Sequence, residues 1–328
     1  MDIFLQQIIN GLTTGSVYAV VALGYTMVYG VIQLINFAHG EVVMIGAMVA
    51  FSVIVALAGG SLPAPLILVA AVLAAIPVCM LIGYLLERVA YRPLRHAPRL
   101  APLITAIGMS IILAHIALMV WGRNPKAFPQ IIENPVFHMG EAAISGVQIA
   151  IILLSFAMMG SLTWFVYRTR FGIAMRATAE DVRIAALMGV NANQVIAATF
   201  VIGAALGAVA GVMYGSYYGI IHYTMGFTLG LKAFSAAVLG GIGNLAGAVL
   251  GGILLGLVEA MGSGYIGEIS DLCQWSLTSA MLVEQCKDGG NFVLFGSNYQ
   301  DVFAFLMLIL VLVFRPSGLL GERVSERA

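Results

Sequence analysis

The chain has 328 residues, of which 61% are hydrophobic and 9% charged, with 15 basic and 15 acidic side chains and a formal net charge of zero. Soluble domains run at roughly 45–50% apolar and about 25% charged, and one soluble core of this length could not hide so much apolar surface. The composition excludes an ordinary soluble globular protein, and the balanced charge points to no nucleic-acid or acidic partner.

Met1-Asp2-Ile3-Phe4 carries no basic residue, so the start is not patterned as a signal peptide and the first apolar run is expected to be retained. A helix that crosses a bilayer needs about 20 mostly apolar residues. Charge-free runs cover 7–31, 42–58, 61–86, 147–167 and 195–218, while 100–121 carries His115 and 226–258 carries Lys232. A last run, 302–314, is short and extends through Tyr299 and Gln300. Barrel strands would alternate in polarity, and Ala150-Ile151-Ile152-Leu153-Leu154 does not. The pattern predicts an all-α, polytopic integral membrane protein with eight or nine transmembrane helices, depending on whether 226–258 counts once or twice.

Most of the basic residues fall in three places: Arg88, Arg92, Arg95 and Arg99; Arg168, Arg170, Arg176 and Arg183; Arg315, Arg323 and Arg327. The positive-inside rule puts these segments on the cytoplasmic side. Residues 122–146 and 262–301 then lie outside. The three runs before Arg88 place the N-terminus outside too. No polar linker divides the chain, so 1–328 reads as one domain with a cytoplasmic connection at 168–194 and an external insertion at 263–301.

Glycine is abundant, with 38 residues, and partly ordered. Gly203, Gly207, Gly211 and Gly215 recur every fourth residue, a small-residue stripe of the kind that lets helix backbones approach closely in lipid. Gly240-Gly241-Ile242-Gly243-Asn244, followed by Gly247, Gly251, Gly252 and Gly256, fits either a re-entrant helix pair or two spans joined by a tight glycine turn.

Little here resembles an active site. Lys232, His115, His39, Glu41 and Glu259 read as scattered, and no His or Cys spacing suggests a metal. The three lysines, Lys126, Lys232 and Lys287, sit in no Gly-Lys-Ser/Thr phosphate loop. No catalytic residue is assigned, and if ATP powers this chain, another subunit must bind it. Residues 176–191, charged and then small and ending at Gly189, read as a short amphipathic helix able to dock on a partner, or as a plain solvated loop. Asn36-Phe37-Ala38-His39-Gly40-Glu41 interrupts two apolar runs. It reads as part of a translocation path or gate, with His39 and Glu41 paired, or as a turn in which Asn36 caps the next helix. Lys232 either faces the same path or snorkels to the interface.

Several stretches, taken in order, carry a family resemblance. They are Asn10-Gly11-Leu12 with Gly15-Ser16-Val17-Tyr18-Ala19; Gly24-Tyr25-Thr26-Met27-Val28-Tyr29-Gly30; Ile35 to Glu41; Glu87-Arg88-Val89-Ala90-Tyr91-Arg92-Pro93; and Ala106-Ile107-Gly108-Met109-Ser110. Residues 176–191, Lys232-Ala233-Phe234 with Ala236 to Gly243, and Phe314-Arg315-Pro316-Ser317-Gly318-Leu319-Leu320-Gly321 complete the set. In these stretches the chain resembles the permease subunits of bacterial ABC importers for branched-chain amino acids. The resemblance implies that 176–191 is the loop that meets ATP-binding subunits, through Arg176, Ala177, Glu180, Asp181, Ala185, Gly189 and Asn191. It further implies an inner-membrane complex of two permeases, two ATPases carrying ATP and Mg, and a periplasmic substrate-binding protein. Related permeases serve urea or short amides, and a self-sufficient carrier is the rival from another class.

One stretch departs from the family's pattern. Residues 267–300 look like an insertion, with Leu272, Trp275, Ser279, Leu282 and Cys286 at helical spacing on a surface helix. Cys273 and Cys286 there are either a disulfide, worth up to about 3 kcal/mol by loop-closure entropy, or two free thiols, since one continuous helix would hold them too far apart. Cys79 lies within a run and is expected to pack.

Overall fold

The computed structural model describes residues 2–60, 62–95, 97–98, 100–131, 134–140, 142–269, 300–315 and 317–321. Among these, eleven α-helices occur in chain order. They are α1 (Asp2–Ile32), α2 (His39–Leu57), α3 (Ala64–Leu85), α4 (Leu100–Trp121), α5 (Gly146–Arg168), α6 (Arg170–Glu180), α7 (Val182–Leu187), α8 (Ala192–Tyr218), α9 (Met225–Gly240), α10 (Leu245–Ile269) and α11 (Gln300–Phe314). Seven are long and apolar enough to cross a membrane, and α9 and α11, at 16 and 15 residues, are apolar but shorter. The chain is a multi-pass membrane protein. The expected run 226–258 is two helices, turned at Gly241-Ile242-Gly243-Asn244, where Gly241 and Gly243 have φ of +104° and +98°. A glycine turn between two helices is common to both readings, and the first arm is roughly 24 Å against a hydrocarbon core of about 30 Å.

Small residues set the packing. α1 and α8 are mostly enclosed, whereas α3, α4 and α5 expose most of their surface. α10 lies antiparallel on α1, because Gly11, Gly15 and Ala19 meet Leu257, Ile253 and Gly252. A methyl group on Gly11 or Gly15 would lie 2.8 Å from the Cα of Leu257 or Ile253. The predicted stripe on α8 packs as its spacing suggests: Gly203 faces Gly24 of α1, Gly207 and Gly211 face His39, Val43 and Ala47 of α2, and Gly215 faces the Phe128 ring. Such contacts bring dispersion energy without a hydrophobic gain. Cys79 of α3 is buried against α2, its thiol donating to the Val42 carbonyl at 3.4 Å.

The two ends differ. At one end, strands β1 (Lys126–Ala127) and β4 (Ile220–Ile221) pair antiparallel, as do β2 (Val136–Met139) and β3 (Ala142–Ser145). These short ladders were not anticipated. Gln6, near the start of α1, bonds both ways to the backbone of Ala143 there, at 2.9 and 3.1 Å, so the N-terminus and 122–145 share a face. At the other end α3 finishes in a π-helical turn, Leu86–Tyr91, and Arg95 reaches Glu87 and, at 2.7 Å, Asn193. There the backbones of Leu319 and Leu320 bond those of Leu239 and Gly240. The described members of the three basic segments thus gather on this face, which the positive-inside rule makes cytoplasmic. Residues 263–269, read from the sequence as the start of an external insertion, are the last turns of α10. Cys273, Cys286 and the proposed helix through Leu272, Trp275, Ser279 and Leu282 lie outside the described residues.

Candidate functional site

Three polar groupings stand out against the apolar bundle. The first is the cytoplasmic elbow of α6 and α7. Residues 176–191 do not form the single helix read from the sequence. The backbone is extended at Asp181, φ −154° and ψ 113°, and its carboxylate accepts from the amides of Arg183 and Ile184 at 2.7 and 3.0 Å. Asp181 therefore starts a second helix, an N-cap role that outweighs continuation of the first. Gly189, at φ 84°, ends that helix in the left-handed region that favours glycine. Asn191 caps α8. Arg176 lies over the Tyr167 ring at 5.2 Å. Of the residues expected to make contact, Arg176, Ala177, Glu180, Asp181, Gly189 and Asn191 are at least partly exposed, but Ala185 is buried and turned inward. The sequence reading missed the apolar tip, where Leu187 is 87% and Met188 81% exposed, with Ile184 and Val182 beside them.

The second grouping is the start of α2. α1 ends at Ile32, and Gln33 reverses the chain at φ 52°. Residues 33–38 then run back along the bundle, so that α2 begins with His39 beside Gly24 and Gly207. Gly24 lies two turns before the end of α1. At the helical rise per residue, α2 thus starts roughly 12 Å inside that end. The ring of His39 fits because Gly24 has no side chain: a methyl group there would lie 2.6 Å from its Cε1. His39 and Glu41 are not paired. His39 packs edge-on to Tyr25, centroids 4.9 Å apart, and Glu41 accepts from Ser110 of α4 at 3.1 Å. Residues two apart on a helix point to different sides, which is why the expected pair fails. Asn36 is not a cap either, since the Tyr91 hydroxyl donates to its Oδ1 at 3.0 Å and no side chain caps α2. The Phe37 ring packs at a tilt against Phe234 of α9, centroids 5.5 Å apart. Gly40 lies against Gly226 and Gly230, a contact of backbone on backbone. Glu41 Oε2, the Tyr25 hydroxyl and His39 Nε2, all buried, have no hydrogen-bond partner among the described residues. Unpaired polar atoms at such depth are uncommon and costly.

Lys232 belongs to a third grouping, separate from the second. It neither lines the α2 start nor snorkels. Its ammonium is buried and reaches Glu259 of α10 at 2.8 Å, Asp301 of α11 at 2.6 Å and the Tyr18 hydroxyl at 3.3 Å. Tyr18 in turn donates to the second Glu259 oxygen at 2.9 Å. Lys232 and Glu259, read as scattered, are thus members of a bonded cluster joining four helices. One signal could have found it: a lysine and two carboxylates inside or at the rim of apolar runs, where each must find a partner.

No group of three or more His, Cys, Asp or Glu side chains among the described residues could hold a metal. The family description that matches residues 7–312 is that of a branched-chain amino acid transport system, permease component. The chain is 48% identical to the high-affinity branched-chain amino acid transport system permease protein BraD of Pseudomonas aeruginosa, over 99% of this chain and 98% of that relative. It is 44% identical to the LivH permease protein of the corresponding high-affinity system in Escherichia coli K12, over 99% and 97%. It is 24% identical to a probable branched-chain amino acid transport permease protein LivH of Methanocaldococcus jannaschii, over 98% and 94%. No solved structure matches.

Proposed function

The chain belongs to the family of permease components of branched-chain amino acid transport systems, and from that membership we propose that it is a transmembrane subunit of an ATP-driven importer of branched-chain amino acids in a bacterial inner membrane. It works with two ABC ATPases, which hold ATP and Mg, with a second permease, and with a periplasmic binding protein that delivers the substrate. The observation that carries this reading is the elbow. An apolar tip, Leu187 and Met188, projects from a charged connection into water. Two exposed large side chains at the end of so short a helix make sense as a plug for a partner's groove. Asp181 and Gly189 fix its shape, and Arg176 and Glu180 border it.

The gate in this reading is the start of α2. Its glycine contact with α9 lets helices slide with little steric resistance, and the unpaired atoms of Glu41 and Tyr25 gain partners if it opens to water. Asn36, Phe37 and His39 move with it, while Lys232 holds α9 in place. The test of substrate is binding-protein-stimulated ATP hydrolysis by the assembled complex with leucine, isoleucine, valine and urea. Stimulation by the three amino acids is expected; stimulation by urea alone would replace the substrate. For the gate, Glu41→Gln should alter the uptake rate while the complex still assembles; unchanged uptake in that variant and in Gly226→Ala would remove it.

A further inference from the structure

Glu87-Arg88-Val89-Ala90-Tyr91-Arg92-Pro93 stands out in the sequence, and the function proposed above leaves it without a role. It forms the π-helical turn that ends α3, where the Arg92 amide donates to the Glu87 carbonyl five residues back. Single turns of this kind are rare and recur at functional sites. Two of its side chains, Glu87 and Tyr91, are almost wholly buried, and each is bonded to a different part of the molecule. Glu87 holds the Arg95 guanidinium, whose Nη1 donates to Asn193 Oδ1 at 2.7 Å. Asn193 is in the first turn of α8, and only residues 188–191 join α8 to the elbow helix α7. Tyr91 packs on Phe200 of α8, centroids 5.1 Å apart, and donates to Asn36 Oδ1 at 3.0 Å in the segment that leads into α2. One turn is thus tied to the elbow on one side and to the start of α2 on the other.

Resting on the function proposed above, with the elbow as the ATPase dock and the start of α2 as the gate, we propose that Arg95 and Tyr91 are positioning residues that carry movement of the first to the second. The Arg95–Glu87 pair has two discrete arrangements. In this structure Arg95 Nη2 meets Glu87 Oε1, while Arg95 Nε and Glu87 Oε2, both buried, have no hydrogen-bond partner among the described residues. The guanidinium edge that carries Nε and Nη2 fits a carboxylate through two parallel bonds, which is the stronger form of the pair. A small rotation of the guanidinium closes that fork and draws Nη1 away from Asn193. Arg95 is therefore divided between Asn193 and Glu87, and a displacement at the start of α8 decides which one it holds. Coupling between distant sites needs such an element, with an equilibrium that both sites bias. Regripping Glu87 moves the turn, and Tyr91 passes that movement to Asn36 and so to His39 at the head of α2.

The experiment uses the full complex in proteoliposomes and reads leucine moved per ATP hydrolysed, beside ATPase co-purification and the membrane level of the chain. Asn193→Ala changes an exposed side chain, and Tyr91→Phe removes one hydroxyl while keeping the ring on Phe200. Each should leave ATPase association and ATP hydrolysis near wild type and lower leucine per ATP several-fold. Arg95→Lys, which keeps the charge but not the fork, should behave like Asn193→Ala. The double variant Asn193→Ala with Tyr91→Phe should fall no further than the worse single, because both cut one path. A merely structural role would instead lower the membrane level and leave the ratio of leucine to ATP unchanged. That unchanged ratio in both single variants overturns the proposal while the proposed function stands, as does a double variant whose loss is the product of the two single losses. Absence of ATP-driven leucine uptake by the wild-type complex would overturn the proposed function itself, and this path with it.

Discussion

The elbow and the Lys232 cluster invert each other. At the elbow, apolar side chains stand in water on a short helix held by one cap and one glycine. In the cluster, charges stand in the interior, bound to one another across α1, α9, α10 and α11. Each arrangement is unfavourable for its own side chains in isolation. In the proposed reading the apolar tip is relieved by a partner, whereas the buried lysine is relieved by its two carboxylates. The contrast separates a surface made for exchange from a joint made to stay closed. A perturbation at the elbow should therefore leave the protein standing and idle, and one at the cluster should take the protein down.

The largest effect should come from breaking the cluster. Lys232→Met leaves Glu259 and half-exposed Asp301 without their cation. Removing one partner of a buried pair costs about 3–5 kcal/mol. The chain should be lost from the membrane fraction, or unfold in mild detergent where the wild type survives. Adding Glu259→Gln should restore part of that loss, because the deepest unpaired charge is gone; no recovery would mean that packing, not charge, carries the joint.

Next in size is the elbow. Leu187→Asp, Asp181→Lys and Gly189→Asp should each leave the membrane level of the chain near wild type. Each should weaken ATPase association at least tenfold, which corresponds to about 1.4 kcal/mol. Co-purification of the ATPase reads this directly, and association at wild-type strength in all three would turn the elbow into an ordinary loop.

A last set, with the smallest expected effect on partner association, separates space from conformation. Gly211→Ala forces a methyl group to 2.8 Å from the Ala47 amide nitrogen. Overpacking of this kind costs roughly 1–3 kcal/mol. Gly189→Ala meets open space on its side-chain side. Its cost is only that of the left-handed backbone, roughly 1–2 kcal/mol. The first should lower the unfolding temperature of the purified chain without a specific loss of ATPase association, and the second should lower it less while also reducing uptake. Gly160→Ala, on the open face of α5, is the control and should do neither.

Much of this was legible in the sequence, because in lipid the hydropathy runs are the helices and spacing four on α8 is a packing face. The elbow's location was legible through its charges, though not its break. Asp181 is as plausible inside a helix as at its start until the cap is seen. The cluster was not legible, since Lys232 and Glu259 are 27 residues apart and lie on different helices. The pairing of His39 with Glu41 failed because nearness in sequence is not nearness around a helix. The run of 33–38 back into the bundle left no signature beyond a polar stretch. The β1–β4 ladder joins very short strands from connectors far apart in the chain, too short for any periodicity to show.

Leucine uptake into proteoliposomes, with binding protein and ATP, decides whether the elbow couples: it compares the chain alone, the chain with the proposed ATPases and second permease, and the same complex carrying Leu187→Asp. Uptake is expected only by the complete wild-type complex, with the variant inserted in the membrane but unable to couple hydrolysis to transport. Uptake by the chain alone, or undiminished ATP-driven uptake with Leu187→Asp, would contradict it.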